Sequence, residues 1–153
     1  MMKLASEVIN ALAGRTLATA ESCTGGMIGQ ALTAVSGASA VYKGGVISYT
    51  NEVKENVLGV SGQLLAEVGA VSAPVAEAMA AGVRRNLKTD FAVSVTGLAG
   101  PTGDEYGNPV GTVFIGFASE SCSKAIACYF QGDREAVRRQ AAEAALALIL
   151  ENI

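Results

Sequence analysis

Apolar positions along this chain alternate between a helical and an extended period. Leu4, Val8 and Leu12 recur at helical spacing and predict a helix over residues 2–13, stopped by Gly14. A short apolar run at 16–20 predicts a strand. Met27, Ile28, Ala31, Leu32 and Val35 then return to helical spacing, so a helix is expected over 25–35. Residues 42–49 read as a second strand, after which Thr50-Asn51 caps a short helix carrying Lys54. Another short helix is expected at 61–68. Ser72 and Pro74 open a longer one, whose apolar stripe is Val75, Met79, Val83 and Leu87. Residues 90–95 form a buried-type strand, and a glycine-rich segment spans 97–111. Residues 110–118 and 124–130 pair as a hairpin, and Gly132-Asp133 starts a last helix running close to Ile153.

Helices between strands over the first two-thirds predict an α/β fold, specifically a three-layer α/β/α sandwich. Its sheet is expected to be mixed, with a C-terminal antiparallel hairpin. No linker, repeat or low-complexity tract divides residues 1–153, so one domain is expected. Half the residues are apolar and 16% are charged, which excludes a disordered chain. A net charge of −3 with no basic run argues against a nucleic-acid surface. The longest wholly apolar run, 144–150, is too short to cross a bilayer, and the first residues lack the apolar centre of a signal peptide. The three cysteines, Cys23, Cys122 and Cys128, are an odd count that fits reduced thiols, and a cytoplasmic setting is expected.

Chemistry has few places to reside. The segment Ala20-Glu21-Ser22-Cys23-Thr24-Gly25-Gly26 joins a strand to a helix, where backbone N–H groups are unpaired and two glycines admit a ligand close to the backbone. Two readings of Ser22 stand. It is a nucleophile, with N–H groups near Thr24, Gly25 and Gly26 stabilising an oxyanion, or it belongs to a helix cap. Thr24 is the better cap, its hydroxyl reaching the N–H of Gly26 or Met27. Cys23 is a rival nucleophile or a packed thiol. Glu21 holds a cation or faces solvent.

The chain has no histidine, so a serine nucleophile needs another base. Lys54 sits early in the helix after the second strand, where the positive helix end and burial would both lower its pKa. The alternative is a solvated surface lysine. Arg134 and Arg138 lie four apart at the start of the last helix and either clamp a phosphate or pair with Asp133 or Glu135. Anion-binding N–H groups are expected at Gly25-Gly26 or within 96–103. The 97–111 segment reads as a flap or as a surface loop. Without histidine, and with scattered carboxylates, the usual catalytic zinc sets cannot be assembled, and neither metal nor cofactor is expected.

Five blocks together carry a family resemblance: Glu21-Ser22-Cys23-Thr24-Gly25-Gly26, residues 45–54 ending Tyr49-Thr50-Asn51-Glu52-Val53-Lys54, Gly69-Ala70-Val71-Ser72, Val95-Thr96-Gly97-Leu98-Ala99-Gly100-Pro101, and Gly132-Asp133-Arg134 through Gln140. In order and spacing they resemble the CinA C-terminal domain family, whose active members are nicotinamide-nucleotide amidohydrolases. The resemblance covers nearly the whole chain and is closest to the stand-alone form, without the preceding molybdopterin-binding-like domain of longer CinA proteins.

The resemblance implies hydrolysis of the carboxamide of nicotinamide mononucleotide to nicotinic acid mononucleotide and ammonia. It places the nucleophile at Ser22 and its base at Lys54. Tyr49 matches the family tyrosine that relays protons or orients the lysine, against the alternative of plain packing at a strand end. Thr96 falls where a hydroxyl binds substrate or orients Ser22, with Gly97 beside it. The implied partners are a small nucleotide substrate and a second copy of the chain in a homodimer. Two non-catalytic alternatives are a nucleotide-binding domain and an interaction role in competence or DNA damage. A phosphatase-like or acyl-transfer hydrolase is the third alternative.

Overall fold

The computed structural model describes residues 1–153, and its five strands form one sheet in the order β2-β1-β3-β4-β5. β1 (Leu17–Glu21) runs parallel to both β2 (Tyr42–Ile47) and β3 (Phe91–Gly97), whereas β4 (Thr112–Ala118) and β5 (Ser123–Tyr129) complete the sheet in antiparallel pairings. The helices are α1 (Met2–Ala11), α2 (Met27–Thr33), α3 (Asn51–Asn56), α4 (Gly62–Val68), α5 (Ala73–Leu87) and α6 (Arg134–Glu151). A single 3₁₀ turn at Ala38–Ala40 precedes β2 and was not expected from the pattern. The α/β fold with a mixed sheet and closing hairpin is as the periodicity predicted.

Each face of the sheet buries its own set of helices. On one face Val8 and Leu12, Ile28 and Leu32, and Val137, Leu146 and Ile149 meet Leu17, Val93, Val95, Val113, Ile115 and Phe117. Each large side chain removed from water there contributes about 2 kcal/mol. On the other face Val75, Met79 and Val83 of α5 pack with Leu58, Val60 and Leu65 over Ala18, Ala20 and Ala92. The sheet side chains on that face are small, which lets α5 approach closely. A Cβ at Gly116 would overlap the Ala76 carbonyl, and one at Gly82 would overlap the Leu58 carbonyl. β1 is buried along its whole length as a central strand, while the edge strand β2 alternates half-buried and exposed positions.

The element ends differ where backbone or cap chemistry decides. The helix expected from residue 25 begins at Met27, because Gly25 and Gly26 hold φ of 59° and 103° in the left-handed region. Thr50 caps α3 as expected, accepting from the Val53 N–H at 3.3 Å. Asp133 caps α6 through the Ala136 N–H at 2.9 Å. Residues 98–111 are laced down. The Asp104 carboxylate accepts from the N–H groups of Tyr106 and Asn108, the Tyr106 hydroxyl donates to Ala66 O at 3.0 Å, and Asn108 Nδ2 donates to Val71 O at 3.3 Å. No helix is long and apolar enough to cross a membrane.

Candidate active site

The carboxyl ends of the three parallel strands converge on one cleft of about 320 Å³. That is where open α/β sheets collect ligands. Ser22 follows β1 directly, and its N–H donates to Val95 O at 3.0 Å, tying the turn to β3. Ser48 follows β2 and is held by its N–H to Glu21 O at 2.7 Å. Thr96 and Gly97 end β3, and Arg134 enters from the start of α6.

Lys54 crosses from α3 into the floor of this cleft. Its Nζ donates to Ser22 Oγ at 2.9 Å and to Ser48 O at 2.7 Å. The lysine is 1% exposed and no carboxylate pairs with it. Burial lowers its pKa from 10.5 to about 8, against a small opposing effect of Cys23. At pH 7 about one molecule in ten then carries a neutral amine, against about one in 3,000 for an ordinary lysine. The helix-end contribution expected from sequence does not apply, since α3 has six residues and Lys54 lies in its last turn. Cys23, the rival nucleophile, is buried, and burial pushes its thiol up to about 11, so it stays protonated at neutral pH.

Glu21 is buried, contrary to either expectation for it. Its Oε1 accepts from Thr24 Oγ1 at 2.7 Å, Gly26 N–H at 3.2 Å and Ile28 N–H at 3.0 Å, and its Oε2 accepts from Gly29 N–H at 3.0 Å. Glu21 therefore caps α2. Thr24 does not, because its hydroxyl is spent on that carboxylate and its side chain is fully enclosed. The N–H of Gly25 donates to Ser22 O and that of Gly26 to Glu21, so neither glycine offers an anion site. None of Thr24, Gly25 or Gly26 lines the cleft. Cys23 does, and its N–H, like that of Thr24, makes no bond to another residue; of the two, only Cys23 belongs to the cleft lining beside Ser22.

The two arginines separate. Arg134 lines the cleft, donating from Nη1 to Gly100 O at 2.7 Å and from Nη2 to the Tyr49 hydroxyl at 3.0 Å. Tyr49 is 57% exposed at the cleft mouth, and its hydroxyl is engaged by Arg134 rather than by Lys54. Arg138 is not in the cleft. Its Nε donates to Cys23 O at 3.0 Å, its Nη2 to Thr24 O at 3.2 Å and its Nη1 to Glu135 at 3.3 Å. The expected fork of both arginines on one phosphate is therefore not formed. Thr96 lines the cleft but donates its hydroxyl to Ala70 O at 2.9 Å, not to Ser22. Asn51, Ala70 and Val71 also line the cleft and have no site role assigned from sequence, whereas Thr102 lies within the 96–103 segment expected to hold an anion. Asn51 stands three residues before Lys54, a spacing that puts both on one helix face.

Comparison with known proteins bears on the family and the fold. The CinA C-terminal domain model matches residues 1–153. A CinA-like protein of Anaeromyxobacter sp. (strain K) is 52% identical over 136 residues, 89% of this chain and 33% of that protein. One from Geobacter sulfurreducens is 49% identical over 133 residues, covering 87% of this chain and 32% of the relative. The chain thus spans about a third of the length of these longer relatives. The crystal structure of a competence-damaged protein (CinA) superfamily protein from Escherichia coli superimposes with a TM-score of 0.97 at 35% identity, covering 99% of this chain and 90% of that one. A competence/damage inducible protein from Agrobacterium tumefaciens gives 0.94 at 36% identity, with 98% and 93% covered. The five motif blocks, the sheet order and these matches place the chain in one family: it belongs to the CinA C-terminal domain family.

Proposed function

We propose that the chain is an amidohydrolase that converts nicotinamide mononucleotide to nicotinic acid mononucleotide and ammonia, with Ser22 as nucleophile and Lys54 as its base. The observation that carries this reading is the 2.9 Å contact between Lys54 Nζ and Ser22 Oγ, made by a buried lysine whose pKa is lowered to about 8. A serine-lysine pair is one of the few ways to activate a hydroxyl without histidine.

In the neutral amine, Ser48 O accepts one N–H and the lone pair faces the Ser22 hydroxyl. Ser22 Oγ attacks the carboxamide carbon as its proton passes to Lys54 Nζ. The Cys23 N–H is the backbone donor placed to meet the developing oxyanion. The carbon–nitrogen bond then breaks, Lys54 returns the proton to the leaving nitrogen, and ammonia departs from an acyl-serine. Water attacks that ester while Lys54 takes its proton, and the proton goes back to Ser22 Oγ as the carboxylic acid is released. The substrate phosphate is assigned to Arg134, which has no carboxylate within ion-pair reach, and to the neighbouring 99–103 backbone.

The test is ammonia release from nicotinamide mononucleotide by the natural chain, Ser22→Ala and Lys54→Ala, with folding checked by circular dichroism. Both variants are expected to lose about 10³-fold or more in kcat. A natural chain that binds the nucleotide yet releases no ammonia overturns hydrolysis and leaves a nucleotide-binding domain.

A further inference from the structure

The turn that carries Ser22 is gripped from two sides by charged groups that never reach the cleft. On one side the Glu21 carboxylate gathers the Gly26, Ile28 and Gly29 N–H groups and the Thr24 hydroxyl. On the other the Arg138 guanidinium takes the Cys23 and Thr24 carbonyls at 3.0 and 3.2 Å. These contacts join residues 114 and 115 positions apart in sequence, so they fix the turn against α6 rather than within itself.

Covalent geometry makes this grip consequential. The peptide units around Cys23 are trans, so each carbonyl and the N–H of the same unit point in opposite directions. Ser22 O accepts the Gly25 N–H at 3.1 Å, which turns the Cys23 N–H to the other side. Arg138 then holds the next carbonyl, that of Cys23, and so sets the tilt of the residue that follows the nucleophile. A charged fork on two carbonyls holds orientation better than one neutral bond. The exposed pairing with Glu135 adds little energy.

We propose that Arg138 is a positioning residue for the Ser22 turn, acting through the Cys23 and Thr24 carbonyls, and not a ligand of the substrate phosphate. The inference rests on the amidohydrolase reading for its kinetic test, but it has a second readout that does not. Loss of the grip leaves substrate contacts in place and misplaces the nucleophile and its neighbouring N–H, so its cost falls on the transition state.

The experiment compares the natural chain, Arg138→Gln and Arg138→Lys on nicotinamide mononucleotide and on the phosphate-free nicotinamide riboside. Arg138→Gln is expected to lower kcat about 100-fold with KM unchanged, by the same factor on both substrates. Arg138→Lys, which keeps a charged donor for the carbonyls, recovers part of the loss. A raised KM on the nucleotide with unchanged kcat, and no effect on the riboside, overturns the proposal in favour of a phosphate ligand. Unchanged kinetics on both substrates overturn it as well. Labelling of Ser22 by an aryl sulfonyl fluoride, read by mass spectrometry, needs neither substrate: the Oγ–sulfur bond forms, fluoride leaves and Lys54 takes the proton. A natural chain that labels but turns over nothing overturns the amidohydrolase reading alone. Equal labelling rates in the natural chain and both folded variants overturn the role of Arg138 alone. Should Arg138→Gln fail to fold, the Arg138→Lys variant carries both readouts.

Discussion

Replacing Lys54 by methionine should change how stability depends on pH, by an amount fixed by the burial of its amine. The unfolded chain holds the Lys54 proton with a pKa of 10.5 and the folded chain with about 8. Between those values the unfolded state carries a proton that the folded state lacks, so unfolding takes up a proton and stability rises with pH. Below pH 8 both states are protonated, and the folded chain bears the full cost of the buried cation, about 3 kcal/mol at pH 7. At pH 10 about 1 kcal/mol of that cost remains, so about 2 kcal/mol is recovered across the window. Lys54→Met has no such contribution, and apart from the weak mutual effect of Lys54 and Cys23 the other titrating groups are common to both chains and cancel in the difference. Urea unfolding of the two proteins at pH 7, 8, 9 and 10 measures it. The stability of the natural chain minus that of the variant should climb by about 2 kcal/mol from pH 7 to 10. A difference flat to within about 0.5 kcal/mol would refute the lowered pKa, and with it the physical basis for Lys54 as a base.

Other consequences can be checked separately. On its acid limb kcat/KM should rise about tenfold per pH unit and level off above about pH 8, because the neutral amine is the active form; a pH-independent profile would count against Lys54 as the base. Glu21→Ala strips the acceptor from three N–H groups and the Thr24 hydroxyl and should lower stability by about 3 kcal/mol or more, seen as a lowered urea midpoint. Gly82→Ala would gain about 1 kcal/mol from helix propensity alone, but the new Cβ overlaps the Leu58 carbonyl, so a net loss of about 2 kcal/mol is expected in thermal or urea melts. Cys23→Ala should keep most of the amidase activity, and iodoacetamide at pH 7.5 should label Cys122 and Cys128 before Cys23, as followed by mass spectrometry.

Much of the fold was legible because hydrophobic period alone decides it. The stripe of Val75, Met79 and Val83 and the runs that became β1, β3 and β4 gave the right elements in the right order. The serine-lysine pair was legible because the absence of histidine narrowed the bases and the motif blocks fixed the positions. Partner choice was not legible. Arg134 and Arg138 share a helix face, yet one meets Tyr49 and Gly100 in the cleft while the other meets Cys23 and Thr24 behind it. Spacing gives direction along a helix and says nothing of what stands opposite. Thr24 misled for a related reason: a hydroxyl near a helix start suggests a cap, but the carboxylate of Glu21 accepts from more donors than a hydroxyl can. Glycines 25 and 26 moved the helix start because a positive φ is a property of the turn and not of the composition.

The bonds from Arg138 to the Ser22 turn join the first sixth of the chain to its last helix. Arg134, on the same helix, closes the cleft against Gly100 and Tyr49. During synthesis the whole cleft lining except Arg134, residues 22–103, is therefore made before the helix that braces it. A chain still lacking residues beyond 133 has the Ser22 turn without Arg138 and the cleft without Arg134. On the proposed reading, onset of hydrolysis is a clock for completion of the fold, and a ribosome-stalled series ending on either side of α6 would show activity switching on between the two lengths rather than growing with each added strand.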